Sequence, residues 1–110
     1  MNTFLIDYDL EEGDDYTPVE EIIKKIDPTY WHHLDSTWVV SSNSTVAELT
    51  AQIQKTFPPG HGKLLIIKLN KHEEYKASGF TQTEAEALKR KLAPQSVWDV
   101  LRESQGSKGL

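Results

Sequence analysis

Cysteine is absent from these 110 residues, which excludes a disulfide framework, a thiolate zinc site and a thiol nucleophile. The composition is compatible with a reducing compartment. No stretch approaches the roughly 20 apolar residues that span a bilayer, and the opening "MNTFLIDYD" has no basic segment and an apolar run broken by Asp7. A cytoplasmic protein without membrane attachment is expected. Also missing is a glycine loop of phosphate-binding spacing. "PPGHGK" does not match the GxxxxGK pattern followed by Ser or Thr, which argues against nucleotide hydrolysis.

Basic residues are missing from positions 1 to 21, where eight acids stand: Asp7, Asp9, Glu11, Glu12, Asp14, Asp15, Glu20 and Glu21. From Lys63 to Lys108 the balance reverses, with nine Lys or Arg against six acids. The first region repels a polyanion and the second attracts it only weakly, so nucleic-acid binding across an extended monomer surface is disfavoured. The length fits one domain. Its expected division is a core over 1–80, a helical appendix over 81–103 and a flexible tail over 104–110.

What is present is a clear alternation of elements. "TFLIDYDL" sets Phe4, Ile6, Tyr8 and Leu10 on one face and Leu5, Asp7 and Asp9 on the other, the period-two pattern of a strand. Next comes a turn around Gly13. Thr17, Pro18 and Glu20 form a capping-box start for a helix from Pro18 to Ile26, with Val19, Ile22, Ile23 and Ile26 as its apolar stripe and Asp27-Pro28 as its stop. "TYWHHLDSTWVVSS" reads as a hairpin of strands 30–34 and 37–41 joined by a tight turn at Asp35-Ser36. Ser44 then predicts a helix cap with Glu48 in the first turn, and Val46, Leu49, Ile53 and Phe57 stand at helical spacing. "KLLIIKL" is nearly continuous in apolar residues, as a strand buried under helices would be.

The order strand, helix, strand, strand, helix, strand predicts an α+β fold. With right-handed crossovers it is the ferredoxin-like βαββαβ arrangement, with a four-stranded antiparallel sheet and both helices on one face. "HEEYKASGF" would add a short fifth strand. "TQTEAEALKRKLA" predicts a helix capped at Thr81 or Thr83 with Ala85, Leu88 and Leu92 as its apolar line, and "QSVWDVLRE" resumes helical turns after Pro94. The sheet face opposite the two core helices would then await either a partner or this late helix.

"FLIDYDL", the amphipathic helix, the hairpin bearing "HLDSTW" and the final apolar strand resemble the CRISPR-associated protein two superfamily over about residues 2 to 80. The chain is also similar to the virulence-associated protein D toxins, and most similar to small bacterial proteins labelled "SinR family". The resemblance implies a ferredoxin-like homodimer in which the aspartate ending strand one faces its twin across the two-fold axis. In that family such a pair can hold a divalent metal for phosphodiester cleavage, and Asp9 is the matching position. One carboxylate from each subunit plus waters suits Mg²⁺ or Mn²⁺. Beyond this strand the chain departs from the family, since "EEGDDYTPVEE" is acidic where basic residues commonly open the first helix.

Each candidate residue has a chemical reason and an ordinary structural one. Asp9 is the candidate metal ligand and catalytic residue, with Asp7 beside it on the same strand face. The ordinary reading of the two is a solvated, mutually repelling pair. The acids from Asp7 onward do not complete a calcium loop, because Pro18 occupies the position of the bidentate glutamate. His32 and His33 face opposite sides of a strand, and His33 is the candidate acid or base beside Asp9, since an imidazole titrates near neutrality. Lys89, Arg90 and Lys91 form the compact basic run for a nucleic-acid contact on the exposed side of the late helix. Trp98, with Val97, Val100 and Leu101, is the candidate interface, to a second subunit or to the domain itself.

Three functions are therefore expected in order. The first is a non-catalytic homodimer that associates with nucleic acid or protein. Next comes a metal-dependent nuclease of toxin type using Asp9. Last is an acidic module whose strand-one loop recognises a basic partner.

Overall fold

The computed structural model describes residues 1–69 and 75–93. Its elements in chain order are β1 (Asn2–Asp9), α1 (Thr17–Ile26), β2 (Thr37–Ser42), α2 (Val46–Gln54), β3 (Lys63–Leu69) and α3 (Gln82–Leu92). The fold is α+β, with a three-stranded antiparallel sheet of order β2-β1-β3. β1 lies in the middle because it pairs with both other strands, Ile6 sitting opposite Trp38 on one side and Ile66 on the other.

The alternation in β1 decides which side carries the main core. Phe4, Ile6 and Tyr8 point to one face and are buried there with Trp38 and Val40 of β2, Val19 and Ile23 of α1, and Leu49 and Ile53 of α2. Burying such a set from water, at about 25 cal/mol per Å² of apolar surface, is the main favourable contribution to the fold. Trp38 is fully buried, and its indole N–H donates to the Tyr8 hydroxyl at 3.0 Å, so the polar edge of the ring is satisfied inside the core. On the opposite face α3 packs Leu88 and Leu92 against Trp31 and Val39, with Leu69, Phe80 and Ala87 around them. The late helix thus supplies the cover for part of the second sheet face.

Several expectations are corrected. The hairpin over 30–34 and 37–41 is not formed as a pair of strands: residues 30–34 contribute a single bridge, Trp31 to Val39, and among the described residues the sheet has three strands rather than four. The reason lies in the connection. A two-residue turn at Asp35-Ser36 would place Leu34 opposite Thr37 and His32 opposite Val39, whereas the bridge puts Trp31 opposite Val39, one residue longer. His32 then folds back on β2, stacking on Trp38 with ring centroids 3.7 Å apart and donating from Nδ1 to the Thr37 carbonyl at 3.0 Å. The proposed fifth strand falls partly on residues 70–74, outside the described residues, and residues 75–78 are not in a strand.

The helix starts also move. α1 begins at Thr17, and the expected Thr17–Glu20 capping box is absent; instead the Thr17 amide donates to Asp15 Oδ1 at 2.9 Å. For α2 the cap is Thr45 rather than Ser44, in a complete capping box with Glu48. Thr81 and Glu84 form the same box at the start of α3. β3, expected to be buried, is an edge strand among the described residues, and its Leu65 and Ile67 are 55% and 45% exposed. Its inner face, with Leu64 and Ile66, packs on the main core under α2, whereas α3 lies over the far side of the sheet near β2.

Candidate functional site

The acids of β1 emerge at one corner of the sheet. Asp7 and Asp9 share the face opposite the main core; in register, Asp7 lies between Thr37 and Leu65, and Asp9 lies opposite Lys63. Asp7 is partly buried and accepts from the Ser36 hydroxyl at 2.9 Å. Asp9 is exposed. Together with Ser36, Lys63 and Leu65 they line a shallow depression of about 330 Å³. A second depression, of about 490 Å³, brings Asp9 together with Tyr16, Glu20, Asp35 and Ser36. Asp9 therefore sits between one lysine and two further carboxylates, in a negative field that disfavours an approaching phosphate and favours a cation.

Behind these acids the wall is aromatic. Tyr8 lies under them, its phenol pKa raised because burial disfavours the phenolate more than the Trp38 N–H favours it, with Glu20, Tyr16 and Asp7 adding in the same direction. Its ring meets that of Tyr16 at 5.7 Å, and the Tyr16 hydroxyl accepts from the Leu10 amide at 3.3 Å. Much of the acidic burst after β1 is spent on local structure. Asp14 accepts from the Glu11 amide at 3.0 Å across the turn at Gly13, whose φ of +89° suits glycine. Asp15 serves Thr17, and this pairing with the backbone and hydroxyl of Thr17 holds its carboxyl below the usual range. His61, from the loop before β3, lies 3.1 Å from Asp14 and 3.6 Å from Glu11, joining the two loops.

Among the described residues no group of three or more His, Cys, Asp or Glu side chains converges as a metal site would require. One subunit offers Asp9 and a hydrogen-bonded Asp7, so a divalent ion here would need ligands from a second copy and from water. His33 is engaged elsewhere. Its Nδ1 lies 3.1 Å from Glu84 Oε2 on α3, and its ring stands edge-on to Trp31 at 5.2 Å. His32, on Trp38, faces the other way.

The basic run divides. Lys89 and Arg90 are exposed, as the helix pattern predicts, but Lys91 turns inward. Its ammonium pairs with Asp27 and donates to the Thr29 carbonyl at 2.9 Å and the Thr29 hydroxyl at 3.0 Å. The expectation that all three residues form one exposed cationic surface is corrected for this residue: a buried carboxylate and a nearby carbonyl give its charge better partners than water does. Val97, Trp98, Val100 and Leu101 lie outside the described residues, as does His72.

Two features are not legible in the sequence. Asp27, which reads there only as a helix stop, is 5% exposed and anchors α3 through Lys91 from 64 residues away. Nothing in local periodicity encodes such a pair. Glu84 is legible as part of a capping box through its spacing from Thr81, but its simultaneous contact with His33 and the Trp31 indole N–H bond to its carbonyl, at 3.0 Å, are not.

Among the described residues no helix is long and apolar enough to cross a membrane. No protein-family model matches this chain, and no curated protein matches it.

Proposed function

We propose that this protein is a non-catalytic protein-interaction module that works as a homodimer in the cytoplasm, built on a ferredoxin-like plan related to the CRISPR-associated protein two superfamily. The fold part of this reading is supported by strand order. β2-β1-β3, extended at the outer edge of β2 by the Trp31 bridge, is the order a four-stranded ferredoxin-like sheet would have with its second strand reduced to one pair. The observation that carries the dimer is the exposed apolar strip of β3. Leu65 and Ile67 stand in register beside Asp7 and Leu5 on an edge strand, a surface that soluble monomers usually blunt with charge. A second copy laid against this strip by two-fold symmetry would bury it twice over.

The acidic corner supports protein rather than nucleic acid as the further partner. Lys63 lies beside Asp7 and Asp9, Glu20 and Asp35 adjoin Asp9 in the neighbouring depression, and Lys91 is withdrawn from the basic run, leaving Lys89 and Arg90 exposed there. Sedimentation equilibrium over a concentration series tests the dimer. Wild type is expected to be dimeric, and Leu65→Glu with Ile67→Glu monomeric with an unchanged circular dichroism spectrum. A wild-type chain that stays monomeric at every concentration would overturn the reading.

A second reading, the metal-dependent nuclease, is favoured by one observation: Asp9 ends the strand exposed, in a negative field. In a symmetric dimer two such carboxylates would hold Mg²⁺ or Mn²⁺, and the ion would supply an activated water or charge stabilisation at phosphorus. Labelled RNA and DNA incubated with either metal or with EDTA, using wild type and Asp9→Ala, separate the two readings. Metal-dependent cleavage lost in Asp9→Ala would establish the enzyme; no cleavage by either protein leaves the interaction module.

A further inference from the structure

Among the described residues the sheet ends at β3, whose outer edge pairs with no other strand. An unpaired edge presents a row of N–H and C=O groups, and folded proteins usually guard it with a proline, a bulge or a charge within the strand. None of these stands between Leu64 and Ile67: the run is Leu-Leu-Ile-Ile, and the pairing of β3 with β1 is unbroken from Lys63 to Leu69. The broad face beside this edge is less suited to stacking flat on a second copy, since α3 rises over its β2 half.

We infer that the second copy joins at this edge, β3 pairing antiparallel with β3 of the partner subunit in a ladder centred on Ile66. The inference rests on the dimer proposed above and gives it a geometry. In a two-fold antiparallel pair, opposite side chains share a face, so the axis passes at the level of a residue. Of such positions only Ile66 engages the whole of β3, Lys63 to Leu69. It sets Leu65 against Ile67 of the partner subunit and closes the exposed apolar strip upon itself. Lys63 and Lys68 come out on opposite faces, and Lys63 has Asp9 of its own β1 beside it, so like charges do not meet. A strand of this length spans about 23 Å, and the sheet with its helix layer is about 20 Å deep, which gives roughly 450 Å² per copy. That is the low end of specific interfaces, so the dimer is weak and concentration-dependent.

The geometry bears on Asp9, which lies opposite Lys63 at one end of β3. In the centred ladder the two Asp9 residues stand roughly 25 Å apart, offset along the strands and separated by three strand spacings. A single ion, with ligands about 2 to 2.6 Å away, cannot bridge them. The edge-joined dimer therefore carries two separate acidic corners, and a shared metal site between them is ruled out by the same contact.

Because the chain has no cysteine, introduced thiols report on this contact without interference. A disulfide needs Cα atoms within about 7 Å. Opposite residues of an antiparallel pair are about 5 Å apart, whereas Leu65 and its own twin, offset by two residues, are about 8 Å apart. Leu65→Cys and Ile67→Cys, one of them carrying a mass tag, are equilibrated together and oxidised at protein concentrations at which sedimentation equilibrium shows wild type to be dimeric. The expected result is a mixed disulfide that forms several-fold faster than the self-linked dimer of either variant, with Asp9→Cys giving no cross-link. A dimer in which Asp9→Cys links to itself would overturn the ladder and restore the shared acidic pair. Mixed and self-linked products forming at equal rates would overturn it too, while leaving the dimer in place. A wild-type chain that is monomeric at every concentration overturns the dimer and the ladder with it.

Discussion

Asp27 accepts hydrogen bonds on both oxygens: the Thr29 amide and hydroxyl on one, the Ser41 amide and Lys91 on the other. Burial alone would raise its pKa, but Lys91, Ser41 and Thr29 together outweigh that effect and hold the carboxyl below its ordinary value. For a carboxylate depressed in the folded state, the stabilisation is complete above the unfolded pKa of about 3.9 and is lost as pH falls through the folded value. Asp27→Asn should therefore cost about 2 to 3 kcal/mol at neutral pH, where it leaves Lys91 without its counter-charge. Urea midpoints of the two proteins should then converge as the pH is lowered below about 4. A gap of constant size from neutral to acid would show that the charge of Asp27 is not what matters. At this scale the sequence was least informative. Lys91 lies next to Leu92 and three residues from Leu88, at the border of the apolar line, and whether a lysine there snorkels outward or pairs inward depends on what the rest of the chain places beneath it. In contrast, Trp38 belongs to the core by the alternation of its own strand, and there the local pattern sufficed.

Among the elements, the loop from α2 into β3 carries a closely packed glycine. Gly62 has φ of +89°, and a Cβ there would meet Phe57 at 2.6 Å and Leu10 at 2.9 Å. Gly60, two residues earlier, has φ of +75° with nothing within 4 Å. Both alanine variants bear the left-handed backbone penalty of about 1 kcal/mol, and Gly62→Ala adds displacement of Phe57 and Leu10, for a total near 2 to 3 kcal/mol. Thermal melts of the pair should show Gly62→Ala clearly below Gly60→Ala; equal melting temperatures would mean that Phe57 and Leu10 yield freely. The elements themselves were readable because each carries its own period: Phe4, Ile6 and Tyr8 at two, Leu49 and Ile53 at four. Their ends were less so. Ser44 and Thr45 both have cap chemistry, and the reciprocal bonds between Thr45 and Glu48 select one. Residues 30–34 have strand-like composition, yet the extra residue in the turn and the stacking of His32 on Trp38 leave one pair where five residues were expected.

Across the whole molecule, the two cores meet at β2. Trp38 and Val40 point into the larger one and Val39 into the smaller, so three successive residues are buried, on alternate faces, although β2 is not the middle strand. β1, which is the middle strand, has Leu5 and Asp7 only partly covered, and β3 exposes Leu65 and Ile67. That asymmetry explains why the continuous run "WVV" was a better sign of double burial than the longer "LLII": the first lies between helices on both sides, the second between helices on one. The same asymmetry sets the order in which the molecule should breathe. Local opening is cheapest where few apolar contacts are lost. Amide hydrogen exchange measured residue by residue should therefore be slowest at Trp38, Val39 and Val40 and faster along β3, with β1 between them; a slowest group centred on β1 would show that hydrogen-bond position outranks burial. By this argument the sheet should unravel from its β3 side, so the strand that carries the proposed dimer contact is also the one whose hydrogen bonds to β1 are expected to loosen first, and binding of a second copy at β3 would register as slowed exchange there before it changed anything in β2.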